Sequence, residues 1–187
     1  MAEEKKIIKE VRSFVKRECE KPDSHFKGAF ENHFVDVVKY AKELARKEKA
    51  DEEVIEIAAW LHDVGSVKGN YENHHIISAE IAEKLLNKLG YPKEKIEKVI
   101  HCILNHRGSK PGKPETKEAQ ILIDADAMAH FDEVDYLVKG KWYSGAKTED
   151  ESRKNVLSKL ERSYNKMSQT AKEIIKPKLE KTRKELS

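Results

Sequence analysis

His62 and Asp63, two residues with metal-binding donor atoms, close an apolar run, IAAWLHDVGS at 57–66. A buried imidazole and a buried carboxylate lose hydration and are retained where a shared partner compensates them. A metal ion is the partner that takes both. The chain's 8 histidines all fall between His25 and His130, which confines the chemistry they serve to that stretch. Helical phase then sorts them. His106 continues the stripe of Ile96, Val99 or Ile100, and Ile103, whereas His101 falls to one side. His74 lies one step before the stripe Ile77, Ile81 and Leu85, while His75 lines up with the smaller flank Ser78, Ala82 and Leu86. His62 sits two turns beyond Ile55, and His33 stands in line with Val37, Ala41 and Leu44. Asp124 shares a face with Ile121 and Met128, and Asp126 is flanked by Leu122, Ile123 and Ala129, so a carboxylate is embedded in an apolar segment either way. That placement is costly unless compensated.

A single histidine on an apolar face is ordinarily a hydrogen-bonded core residue. The set is different: His33, His62 with Asp63, His74, His106 and Asp126 belong to separate helices and can converge on one centre. Imidazole and carboxylate donors suit one or two divalent ions such as Fe, Mn, Zn, Ni, Co or Mg, and no inward-phased thiolate points to a structural zinc site.

The elements that must position these groups are helical throughout. Apolar residues recur at three- and four-residue spacing in nearly every segment, and no alternating run competes, so the expected fold is all-α. Helices are expected over roughly 3–19, from Phe34 to Ala45, and from an Asp51 cap to His62, where Gly65 and the loop GSVKGNYEN end the third. A fourth runs from Asn73 or His74 to Gly90, and a fifth from Pro92 to His106. After the loop RGSKPGKPE, Thr116 caps a sixth helix, KEAQILIDADAMAHF, and a glycine-broken seventh element follows. Trp142 and Tyr143 in that element belong either to a pocket wall or to the core. The TEDE sequence, Thr148 with Glu151, reads as a capping box opening a long helical tail that Pro177 should break or kink. The expected organisation is one domain over 1–187, with a core at 25–131 and a C-terminal helical extension at 132–187.

Basic and acidic residues number 37 and 34 and are interspersed, so the +3 balance gives no field for a nucleic acid polymer. Cys19 and Cys102 lack CxxC spacing, and no leader or membrane-spanning run is visible. These features lead to the expectation of a cytoplasmic chain, away from membranes. A homodimer is compatible with all of them.

The ordered set of a lone histidine in ENHFVDVVKYA, a His-Asp pair closing AAWLHDVGS, and a distant aspartate in ILIDADAMAHF resembles the HD superfamily of metal-dependent phosphohydrolases over about residues 30 to 131. The resemblance implies an HD-domain helical bundle with His33, His62, Asp63 and Asp126 as metal ligands and Asp124 in reserve. His74, with Ser78 four residues on, and His106 match positions that hold a second metal or serve as general acid, with His75 in reserve. The chain departs from relatives at Ser66, where many carry lysine, and at His106–Arg107, where some two-metal relatives carry adjacent histidines. The implied activity is hydrolysis of a phosphomonoester or phosphoanhydride, with nucleotides favoured, by attack of a metal-bound hydroxide. Asp63 would also orient the water, and Lys68 and Arg107 would bind phosphate oxygens. The competing readings are a non-catalytic metal- or nucleotide-binding module, and an interaction protein acting through its tail.

Overall fold

The computed structural model describes residues 5–107, 114–140 and 145–186, and every regular element among the described residues is helical. Helix α3 (Glu52–Leu61) is the centre of the bundle. Its residues from Val54 to Leu61 are buried on every side, as a helix that is apolar all round must be. The exception in composition, Glu56, is compensated by Lys42 at 2.6 Å. Asp51 accepts from the Val54 amide at 3.2 Å and starts the helix. Around α3 pack α1 (Lys6–Glu20), α2 (Val35–Glu48), α6 (Lys93–Asn105) and α7 (Lys117–Ala129). Thr116 caps α7 through the Ala119 amide at 3.2 Å.

Two short segments depart from the expected pattern. A π turn, Phe30–Phe34, precedes α2 and carries His33. The expected loop after Gly65 holds a one-turn helix, α4 (Val64–Val67), which docks on α5 (His74–Lys88). Gly90, at φ +70°, ends the chain's turn after α5, and Pro92 then occupies the position just ahead of α6.

After α7 comes α8 (Val134–Lys139), and Trp142 and Tyr143 lie outside the described residues, as does most of the RGSKPGKPE loop. The tail forms two helices, α9 (Glu149–Lys166) and α10 (Gln169–Leu186). Thr148 caps α9 through the Glu151 amide at 3.2 Å, and the Glu151 carboxylate reaches back to the Lys147 amide at 2.9 Å, one residue beyond a standard capping box. The break expected at Pro177 falls instead at Met167 and Ser168. Ser168 caps α10 by accepting from the Ala171 amide at 3.3 Å, and its own N–H donates to Asp124 Oδ1 at 3.1 Å. Helix α10 runs on through Pro177 because Ile175 and Leu179, on either side of it, are buried, and that burial offsets the missing backbone bond. Both tail helices touch α7, and one apolar cluster extends from Ile8 to Leu186. Tyr40 donates to Asp132 at 2.6 Å, and Lys178 bonds to both, tying α10 to α2.

Candidate metal centre

Of the polar groups in phase with the apolar stripes, His33, Asp63, His74, His106 and Asp126 line one cavity of about 280 Å³, and the fully buried His62 sits behind its wall, against His33. The π turn presents His33 ahead of α2. At the end of α3 the helix stops at Leu61, and Asp63 takes φ −115° and ψ 14°. Neighbouring side chains on a straight helix diverge by about 100°; ending the helix here lets His62 and Asp63 face one centre. His74 opens α5, His106 follows α6, and Asp126 comes from the last turn of α7.

The donors form two groups. His33 Nε2 lies 3.3 Å from His62 Nε2 and 3.5 Å from Asp126 Oδ1, with His62 Nε2 3.8 Å from that same oxygen. His74 Nε2 lies 3.1 Å from His106 Nε2, and Asp63 Oδ1 is 3.3 Å from the first and 3.5 Å from the second. The other oxygen of Asp63 is 4.0 Å from His62 Nε2, so this carboxylate spans both groups.

The opposite edge of each ring settles which atom faces the centre. Nδ1 of His62 donates to the Ala59 carbonyl at 2.8 Å, that of His74 to Tyr71 at 2.6 Å, and that of His106 to Ile103 at 2.6 Å. His33 Nδ1 meets the Glu133 carboxylate at 2.6 Å. With every Nδ1 hydrogen committed, Nε2 lone pairs face each other across about 3 Å. Acceptor against acceptor is repulsive unless a cation or a proton sits between them, and mixed imidazole and carboxylate donors suit a divalent ion. The residues therefore fit a divalent ion at His33, His62 and Asp126, and Asp63 with His62 and His106 would hold a second, with His74 3.3 Å from the same Asp63 carboxylate.

The electrostatics agree. Burial drives His33 toward the neutral form, but Glu133, Asp126 and Asp63 outweigh it and push the imidazole up to about 9. Burial likewise opposes the charge on Asp126, which His130, His62 and His33 hold well below the usual carboxylate range. Asp63 is held down in the same way by His62, His106 and His74. Within the second pair, burial lowers His74, whereas Asp63 outweighs burial and raises His106, as expected when two rings share one proton.

Other residues singled out in the sequence lie elsewhere. Asp124 is buried against the tail, where it accepts from Ser168 and from Gln120 at 2.9 Å. Lys68, expected at a phosphate, donates to Glu18 at 2.9 Å and does not line the cavity, because the buried Glu18 carboxylate on α1 captures it. His75 is buried with its ring 5.7 Å from His74 and is also off the cavity wall. Arg107 does line the cavity, steadied by the Glu72 carbonyl at 2.6 Å. Sequence reading passed over His130, Glu133 and three residues of α9, namely Lys159, Ser163 and Lys166. His130 and Glu133 lie four and seven residues after Asp126, a spacing that marks one helical face. His130 Nδ1 donates to the Asp126 carbonyl at 2.7 Å, and burial, with Lys159 nearby, pushes the ring down to about 4.

The chain resembles the crystal structure of Bacillus subtilis YpgQ at 19% identity, over 97% of this chain and 92% of that one, with a TM-score of 0.72. A second YpgQ structure, in complex with ADP, aligns at 19% identity over 92% and 90% of the two chains, with a TM-score of 0.66. A protein described as a predicted HD superfamily hydrolase, from an uncultured Thermotogales bacterium, aligns at 23% identity over 92% and 91%, with a TM-score of 0.54. No curated protein matches the chain. The profile of the HD domain matches residues 30–130, more than half of the chain and the segment that supplies His33, His62, Asp63, His74, His106 and Asp126. The chain belongs to the HD-domain family.

Proposed function

We propose that the protein is a metal-dependent phosphohydrolase acting on a phosphate ester or anhydride, with nucleotides as the substrate class. The observation that carries this reading is the pair of facing Nε2 atoms in each donor group, joined by the Asp63 carboxylate. Bound at these residues, divalent ions would acidify water and take up charge on phosphoryl oxygens. The residues of the chain do the rest. Asp63 orients the attacking water from its position between the groups, and Glu133 holds the His33 ring through Nδ1. Arg107, with further N–H donors beyond the one on Glu72, binds non-reacting phosphoryl oxygens. The YpgQ complex with ADP supports the nucleotide class by analogy of fold.

The test begins with metal content by elemental spectrometry for wild type, His62→Ala and Asp63→Ala, with circular dichroism to check helicity. Release of phosphate from nucleotides and from general phosphatase substrates is then measured with added Mn, Co or Mg. Stoichiometric metal and metal-dependent turnover in wild type, both lost in the variants, are expected. A metal-loaded wild type that turns over no phosphate compound would leave a non-catalytic binding module, and the hydrolase reading would be dropped.

A further inference from the structure

We propose that the inner face of α9 is the receptor for a phosphate chain, so that the substrate is a phosphoanhydride with two or more linked phosphates and not a phosphomonoester. This inference rests on the hydrolase reading above and narrows it.

Lys159, Ser163 and Lys166 stand at i, i+4 and i+7, which puts them on one face of the helix, and all three line the cavity that holds the donor groups. Their backbones span about 10 Å at the rise of an α-helix. Lys159 lies at the Asp126 and Glu133 flank: those two carboxylates, with Asp63, are its electrostatic partners. Arg107 follows His106, of the other donor group, and lines the same cavity. Cations therefore stand beside both donor groups.

One phosphoryl group held at the centre has three non-bridging oxygens, which the ions and a single cation already engage. It does not extend along a strip of about 10 Å. A chain of linked phosphates does, carrying negative charge out from the centre toward Lys159 and Lys166. The charge balance points the same way. The carboxylates Asp63, Asp126 and Glu133 match the cations Arg107, Lys159 and Lys166 in number, so each bound divalent ion leaves the cavity two charges positive. Two ions call for a substrate more highly charged than a monoester. Helix α9 holds Lys159 half-buried beside Val156 and Leu160 of the core stripe, which fixes its place on the cavity wall.

The probes are methylenediphosphonate and methylphosphonate, whose P–C bonds resist hydrolysis, titrated calorimetrically into the manganese-loaded full chain. Wild type is expected to bind the diphosphonate at least about tenfold more tightly than the monophosphonate. Lys159→Met and Lys166→Ala should each weaken the diphosphonate by about tenfold, the loss expected for one hydrogen bond to a charged group, and the monophosphonate by much less. Lys154→Ala, exposed on α9 and away from the cavity, should change neither. Equal affinity for the two probes in wild type, or a full diphosphonate preference in Lys166→Ala, would overturn the proposal. Lys166 is exposed, so that variant decides the matter even if Lys159→Met fails to fold. A wild type that binds the diphosphonate preferentially yet hydrolyses nothing would sink the hydrolase reading and leave the strip standing.

Discussion

Asp124 and Asp126 stand two positions apart on α7 and point to different partners, one to Ser168 of the tail and one to His33 of the candidate metal centre. Replacing each by alanine should separate these roles. Asp126→Ala is expected to lose metal while remaining folded. Asp124→Ala should keep its metal but leave the Ser168 amide without an acceptor, at about 1–3 kcal/mol; thermal melts beside elemental analysis decide it. Phase alone could not distinguish the two aspartates, since both sit within an apolar segment and only the neighbouring helix opposite each tells them apart. The inward histidines were legible because each continues a stripe of large aliphatic residues. Glu133 was not, because α7 ends at Ala129 and interrupts the periodicity before it. The shifted groups also predict how the metal-free chain responds to pH. His33, raised to about 9 from 6.5, contributes stability that is complete below pH 6.5 and lost as pH rises toward 9. His130, lowered to about 4, stays neutral in the fold while the unfolded chain takes up a proton, so its contribution is lost as pH falls from 6.5 toward 4. Each is worth roughly 3 kcal/mol at full titration. The urea midpoint of chelated protein should therefore peak near pH 6.5, and a flat profile from 6.5 to 9 would contradict the His33–Glu133 pairing.

Among the elements, α4 and α5 are locked by a close approach at Gly65. Its N–H donates to Ser78 Oγ at 2.9 Å, and a Cβ there would lie 2.6 Å from the His74 carbonyl oxygen and 3.0 Å from its Cα. Those atoms are backbone and yield only if the start of α5 moves, taking His74 with it. Gly65→Ala is expected to cost about 1–3 kcal/mol and to lower the metal content by weakening the group at His74 and His106, sparing the group at His33, His62 and Asp126. Metal content equal to that of wild type would show that α5 can shift without carrying His74 away. Caps made three helix starts readable: Asp51, Thr116 and Thr148 each accept the amide three residues on. What escaped were elements too short for a period, the π turn at Phe30–Phe34 and α4, and the joint between α9 and α10. At that joint Ser168 is anchored by Asp124, a partner 44 residues away that no local signal announces.

At the scale of the whole molecule, the all-α class followed from a periodicity present in nearly every segment, and the ordered histidines and aspartates pointed to the family whose profile spans 30–130. The part of the cavity wall that α9 supplies lies beyond that profile, and its apolar stripe, Val156 and Leu160, drew attention to packing and away from Lys159. Helix α7 carries Asp126 of the candidate metal centre on one side and Asp124, the anchor of the α9–α10 joint, on the other, so an excursion that opens the joint by displacing α7 would also release a metal held there. Ligand binding raises the free energy of only those openings that break the site. Manganese should then slow deuterium exchange at the Ser168 amide as well as along α7, while amides that open without disturbing α7 exchange at their former rates. The pattern of slowed amides would outline the cooperative unit to which the metal centre belongs, and Ser168 exchanging at its metal-free rate would show that the tail opens independently of it.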